Sequence, residues 1–442
     1  MKHTCVIVGA GHRAMAYAAY SRDHPDRMEV VGVADPTPLR RERAVREFGI
    51  ERARVFRSAD ELAAVPKFAD FAINGTMDHH HVPTSLPLLR RGYHLLLEKP
   101  FATNESEMKE LVAVTRAADR KVVICHVLRH TPFYTAIRRE VLSGTIGEII
   151  NINAVEHVSY HHMAVGFIRG KWNRSDVCGS TMLMSKSCHD LDLITWMKSG
   201  IPPRRVSSFG NNQQFDPSKA PDGAGTRCLV DCPIEADCRY SARKLHLDHP
   251  KRWAMYAWSG LENLAEPTLE DMTESLKTSP YGRCVWKTDM NVVDHQSVLI
   301  EFADGATATL NMIGGSAKPS RSLHLIGTHG EIQGCMEDAT YVVRHIDNRP
   351  GREFSERVVD LNLTGDTTGA QGGHGGGDER LVGDFLDFLD GKEPSISTTN
   401  LEDSIAGHLI GFCADRSIKE NRVIDIDFDR SAGFPRSLAN AD

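Results

Sequence analysis

The chain predicts an α/β protein, with an N-terminal doubly wound parallel sheet followed by an α+β domain built on a large, open, mostly antiparallel sheet. Three observations predict it. Short β-rich runs alternate with amphipathic stretches up to about residue 125, a glycine-rich turn closes the first of these runs, and beyond residue 126 the apolar alternation lengthens into strand-like runs with few crossover helices. The expected division is 1–125 and 126–442.

The first part reads as strand Cys5–Val8, a helix from Ala14, strand Val30–Ala34, a helix over Arg40–Phe48, strand Phe71–Asn74, a helix through Leu86–Arg91 and strand His94–Leu97. A further helix, Asn104–Ala118, leads into strand Val122–His126; Thr103 or Asn104 can cap it, and Glu105 and Glu107 suit its positive amino end. Strands of the second part are expected at Glu148–His157, Gln296–Phe302, Ala306–Ile313 and Leu323–Gly327. Residues 211–283, rich in Pro, Asp and charge, predict an insertion of loops and short helices. Gly365–Gly377 predicts a flexible loop before a helix from Glu379 to about Leu389.

With 442 residues, 41% hydrophobic and 25% charged, there is material for two cores. The net charge of -7 and pI near 6.3 argue against a nucleic acid or an anionic membrane, leaving a small molecule as the expected partner. No apolar run approaches a membrane span, and the amino terminus enters a strand without a cleavable leader, so the cytoplasm is the expected compartment. Several of the ten cysteines, among them Cys5, Cys125 and Cys413, fall inside apolar patterns and read as buried reduced thiols.

Val6-Ile7-Val8-Gly9-Ala10-Gly11-His12-Arg13-Ala14 is a strand, a G-x-G-x-x-A turn and a small-residue helix start. Gly9 permits the tight turn, Gly11 lets backbone approach a pyrophosphate and Ala14 permits close helix packing, as in a Rossmann dinucleotide site. His12 and Arg13 complete the turn. Asp35 ends the second strand 24 residues after Gly11, placed to accept from an adenosine ribose. That favours NAD over NADP, although Arg40 and Arg41 follow closely. The third clear strand ends at Asn74, and the following loop contributes Thr76 and His81 as cofactor-lining candidates. Its histidine run, His79-His80-His81, cannot converge on one ion. Glu98 and Lys99 end the next strand, at the same carboxyl edge. A lysine there can polarise or deprotonate a hydroxyl beside a nicotinamide.

These motifs, in this order, resemble the glucose-fructose oxidoreductase/inositol dehydrogenase/MocA (Gfo/Idh/MocA) family. The resemblance continues through Cys125–Tyr134, Phe167–Trp172, Lys186–Asp192 and His374–Asp378, so it spans nearly the whole chain. It implies a Rossmann domain, a C-terminal open-sheet domain, a tightly held nicotinamide cofactor and a homodimer or homotetramer joined through the open sheets. It also implies that Lys99 hydrogen-bonds the reacting hydroxyl and that His189 is the general acid or base. Family members often carry an aspartate four residues before that histidine and a glycine two before it; this chain has Ser185 and Ser187. Tyr160 and His162 are therefore added as candidates to share the proton work.

Arg129, His130, Arg169, Lys171, Trp172 and Lys186 lie in or beside these second-domain motifs and form the candidate substrate-binding set. Their cationic members suit an anionic substituent on a sugar. Cys228, Cys232, Cys238 and Cys284 surround the insertion, which has little apolar material of its own. A tetrahedral structural zinc site would fix it, with free buried thiols and then a disulfide as alternatives. The reading that follows is hydride transfer between NAD and a ring carbon of a carbohydrate, carbon three of a pyranose being favoured. The favoured net reaction is redox-neutral hydrolysis of an anionic, sulfoquinovoside- or uronide-like glycoside, and the alternative is a plain sugar dehydrogenase. A non-catalytic NAD-binding regulator is a distant third, since both Lys99 and His189 are present.

Overall fold

The computed structural model describes residues 1–249, 253–264, 266–362 and 374–428. Strands β1 (His3–Val8), β2 (Met28–Ala34), β3 (Val55–Phe56), β4 (Phe71–Asn74), β5 (His94–Leu97) and β6 (Val122–Ile124) form one parallel sheet in the order β3-β2-β1-β4-β5-β6. The order reverses between β1 and β4, so a crevice opens at their carboxyl ends. Both faces are covered, which is why β4 is buried at every position and β5 from Leu95 onward.

Helix α1 (His12–Ala18) follows β1 through Gly9, whose φ of +77° favours glycine and whose missing Cβ would stand 2.8 Å from the Thr76 nitrogen. Helix α2 (Glu105–Ala118) is capped by Asn104, whose side chain accepts from the Glu107 N–H, one of the two caps the sequence predicts.

The second sheet contains β7 (Ile149–Ser159), β8 (Pro203–Asn211), β9 (His295–Phe302), β10 (Thr307–Ser316), β11 (Ser320–Gly327), β12 (Gly330–Cys335), β13 (Thr340–Ile346), β14 (Phe354–Asp360) and β15 (Ile424–Asp425). Their order is β14-β13-β12-β11-β7-β10-β9-β8-β15, and only β7–β10 is parallel. One face buries Ile152, Ala154, Leu310, Leu323 and Leu325. Helices α3 (Met182–Met197) and, later in the chain, α5 (Leu401–Glu420) cover it. They approach closely because α5 presents glycines: a Cβ on Gly407 would lie 3.2 Å from the Asp192 nitrogen, and one on Gly411 would overlap the Met184 sulfur. Helix α4 (Gly377–Leu389) returns instead to the first sheet, where Phe385 meets Phe71 edge-on at 5.0 Å. The other face of the large sheet leaves Phe209, Leu299 and Ile313 exposed.

Residues 212–294 join β8 to β9; the described residues among them add no strand to the sheet and hold helix Leu269–Thr278, short turns and a single bridge between Arg227 and Arg283. Arg129 and Asp192 are both buried, and the guanidinium Nε and Nη2 donate to the two carboxylate oxygens at 2.7 and 2.6 Å. This pair pins the chain leaving β6 to α3. Asp192→Ala, which strands a buried cation, is expected to lower unfolding free energy by about 3–5 kcal/mol, and Arg129→Met with Asp192→Leu to recover most of it, as read by denaturant unfolding.

Candidate active site

The crevice at the carboxyl ends of β1, β4 and β5 faces α3 and the insertion. Gly11 lies on its floor: no atom falls within 4 Å of where its Cβ would be, and Gly11, as N-cap of α1, offers no side chain to the first-turn N–H groups. Space and free donors together fit a pyrophosphate. Ala14 packs so tightly on Gly75 that a Cβ there would stand 2.8 Å from the alanine methyl. His12, Thr76 and His81 border the crevice beside Gly11. His81 bridges the Pro100 carbonyl through Nδ1 at 2.6 Å and the Thr76 carbonyl through Nε2 at 3.1 Å. Asp35 is where the sequence places it, at the end of β2, but its carboxylate is buried and accepts from the Ala10 N–H at 2.8 Å and the Thr37 N–H at 2.7 Å. It shapes the glycine turn.

Arg13 reaches back from α1 to Glu98 at 3.1 Å and to both oxygens of Asp378 at 3.1 and 2.5 Å. Tyr17 also donates to Glu98, at 2.7 Å. The Arg13 guanidinium, followed by the Lys99 ammonium, holds the Glu98 carboxyl below its usual range against a strong opposing effect of burial. Glu98 in turn accepts from the Lys99 N–H at 2.9 Å, which fixes the backbone of the strand end.

Lys99 extends into the crevice and donates from Nζ to the Ser185 carbonyl at 2.7 Å. His189, one turn further along α3, borders the same space. Burial first, then the Lys99 ammonium and His126, hold the His189 imidazole well below its ordinary pKa, so it is neutral near pH 7. Its Nδ1 lies 3.5 Å from Nδ1 of His126. Ser185, at the position where members of the resembled family often carry an aspartate, turns its hydroxyl back to the Thr181 carbonyl at 2.8 Å.

The other candidates separate cleanly. His162 lines the crevice, stacked on Trp253 of the insertion with centroids 3.7 Å apart, and burial keeps it neutral. Lys171, Trp172 and Lys186 line it too; the Lys171 ammonium sits 4.3 Å from the Trp172 ring centre, and the indole N–H donates to Asp78 at 3.4 Å. Tyr160 stands outside, against His161 and Tyr240. Arg129 and the buried His130 also lie outside, Arg129 being committed to Asp192.

Arg169 corrects two expectations together. It donates to the Arg283 carbonyl at 2.7 Å, the Tyr240 carbonyl at 2.8 Å and the Cys228 sulfur at 3.4 Å, so it anchors the insertion and lies outside the crevice lining. Cys228, Cys232, Cys238 and Cys284 border the same small cavity. Yet among the described residues no group of three or more His, Cys, Asp or Glu side chains is placed to hold a metal ion, and zinc is withdrawn there. A fixed guanidinium, requiring no deprotonated thiol, ties these loops instead; the cysteines are free.

A buried charge network that no sequence motif marks lies on the crevice wall. Arg321 on β11 pairs with Glu156 at 2.5 Å and Asp190 at 3.2 Å, and Glu156 also holds Lys186 at 3.0 Å. The signal was parity: Arg321 shares its face with Leu323 and Leu325, and Glu156 shares one with Ile152 and Ala154, so both charges point inward and are direct cross-strand partners. Trp253, Tyr256 and His374 complete the wall.

Two family models match. One, an oxidoreductase family NAD-binding Rossmann fold, covers residues 3–127, and the other, the C-terminal α/β domain of the same oxidoreductase family, covers 138–426. YteT of Bacillus subtilis (strain 168), an oxidoreductase by name, is 24% identical over 88% of this chain and 89% of its own. Inositol 2-dehydrogenase 4 of Saccharopolyspora erythraea is 29% identical over 53% of this chain and 67% of its own. Among solved structures, levoglucosan dehydrogenase with NADH and levoglucosan superposes with a TM-score of 0.68 at 16% identity, covering 97% of this chain and 100% of that one. The WlbA dehydrogenase of Bordetella pertussis with NADH and UDP-GlcNAcA gives 0.64 at 15%, covering 97% and 99%. The glycine turn, the reversed strand order and both matched domains make this chain a member of the Gfo/Idh/MocA oxidoreductase family, with an N-terminal NAD-binding Rossmann domain.

Proposed function

We propose that the protein is a cytoplasmic, NAD-dependent sugar oxidoreductase that takes hydride from a ring carbon bearing a secondary hydroxyl, carbon three of a pyranose in the favoured form. The observation that carries this reading is the meeting of Lys99 and His189 in the crevice that Gly11 and Thr76 also border. NAD, when bound, supplies the hydride acceptor. Lys99 is anchored by one hydrogen bond to Ser185, leaving ammonium protons for the substrate oxygen. Donation from that ammonium stabilises the negative charge that grows on the oxygen as its proton departs. Neutral His189 accepts the proton; the acid needed in reverse is the same ring after protonation. Trp172 and Tyr256, which meet edge-on, give apolar surface for the carbon face of a sugar. Sugars bound to structural neighbours, levoglucosan and UDP-GlcNAcA, support the substrate class.

Lys171 and Lys186 keep an anionic glycoside and its redox-neutral hydrolysis as a second reading. Its support is narrower than the sequence suggests, because Arg129 and Arg169 are committed elsewhere and Lys186 already faces Glu156. The exposed Phe209, Leu299 and Ile313 suit a homodimer or homotetramer joined through the large sheet.

Lys99→Ala and His189→Ala are each expected to lower turnover by about 10²–10⁴-fold in steady-state assays against a sugar panel. Because His189 must be neutral to accept a proton and its pKa is lowered, the acid limb of kcat/KM should lie below pH 6.5; a limb at or above that value contradicts the assignment. With an aryl glycoside and NAD, stoichiometric NADH and keto-sugar are expected. Aglycone release without net NADH would establish the second reading. Phe209→Glu with Leu299→Glu should shift the sedimentation of the protein to that of a single chain.

A further inference from the structure

The insertion does more than wall the substrate end. From Trp253, stacked on His162, it runs past Tyr256, whose ring centroid lies 5.9 Å from that of Trp172 and 6.2 Å from that of His12, and reaches Glu262. Glu262 accepts two hydrogen bonds from Arg40, from Nε at 3.0 Å and from Nη2 at 3.2 Å. Arg40 sits just beyond Asp35, at the first turn of helix Pro38–Phe48, on the edge of the site where an adenosine ribose is held when β1 and β2 carry a dinucleotide. A guanidinium there is the group that would receive a 2′-phosphate. Glu262 raises the Arg40 pKa and occupies the guanidinium bidentately, while Asp35 adds a smaller attraction. The following Arg41 is also occupied: its Nη1 donates to the Asp35 carbonyl at 2.6 Å and the Pro36 carbonyl at 3.0 Å.

We propose that Glu262, a residue of the insertion, sets the preference of this enzyme for NAD over NADP by holding Arg40 in an ion pair and placing a carboxylate where a 2′-phosphate would need a free cation. The proposal rests on the NAD-binding reading and deepens it. Two consequences follow from the geometry. The pair is partly exposed, with side chains 34% and 29% accessible, so its removal perturbs no core. Also, the same segment lines the crevice through Trp253 and Tyr256 and pairs with Arg40 through Glu262, so cofactor choice and substrate wall belong to one stretch of chain outside the nucleotide-binding sheet.

The experiment measures dissociation constants of NADH and NADPH by nicotinamide fluorescence for the full-length protein, Glu262→Gln, Glu262→Ala, and Arg40→Ala with Glu262→Ala. Glu262→Ala is expected to shift the NADPH/NADH ratio of dissociation constants toward NADPH by about ten-fold, Glu262→Gln by less, and the double variant to return toward the parental ratio. The shift should shrink with added salt, since the freed contact is an exposed one between charges. An unchanged ratio in Glu262→Ala with NADH still bound overturns the proposal, and so does a shift that persists after Arg40 is removed. Failure of the unsubstituted protein to bind NADH would remove the cofactor reading itself and the proposal with it.

Discussion

The hydrogen bond from the Lys99 ammonium to the Ser185 carbonyl fastens the carboxyl edge of the parallel sheet to the helix that carries His189. Both ends are rigid. Lys99 follows β5, which is buried from Leu95 to Leu97, and its backbone is held by Glu98, itself gripped by Arg13 and Tyr17. Ser185 lies in α3, clamped by the Arg129–Asp192 pair and by the glycines of α5. A cation is thereby fixed beside a buried imidazole. The main cause of its neutrality is burial, and the ammonium reinforces it. A carbonyl, unlike a carboxylate, orients the ammonium without cancelling its charge, leaving that charge for the substrate oxygen.

Charge is distributed with economy around that contact. The same crevice is lined by Lys186 and Arg321, and the acids Glu156 and Asp190 are buried against them. An isolated charge in such a place would be expensive, and a hydrogen-bonded group of mixed sign is the form in which it is tolerated. Three arginines that look alike in sequence therefore have different occupations. Arg129 ties the chain leaving the first sheet to α3, Arg169 holds the insertion together, and Arg321 shapes the crevice wall.

Local chemistry made much of this legible. The glycine turn, Asp35, the strand leading to Lys99 and the cap at Asn104 each depend on a few neighbouring residues, and each lies where pattern and spacing place it. His189 and the second-domain motifs needed the family resemblance, since nothing local distinguishes a reactive histidine on an apolar helix from a packed one. What stayed hidden depends on long-range pairing. Arg169 meets the insertion through two carbonyls and a thiol far along the chain, Trp253 reaches His162 from a loop with no periodicity, and Arg321 meets Glu156 only once β11 lies against β7. The inward parity of Arg321 and Glu156 was readable, but parity alone does not name a partner. Asp35 shows the converse: its position was readable, whereas the direction of its carboxylate, into Ala10 and Thr37, was not.

The most direct test of the account follows the ring of His189 itself. In histidine-labelled protein, with His189→Gln used to assign the signal, the imidazole resonance is expected to stay in its neutral form on acidification through pH 6.5. In Lys99→Met its titration should move upward toward the ordinary histidine range, because the largest lowering influence after burial has been removed. A His189 that titrates at or above pH 6.5 in the unsubstituted protein, or that ignores the loss of the Lys99 charge, would contradict the claim that this lysine and this histidine act as a pair.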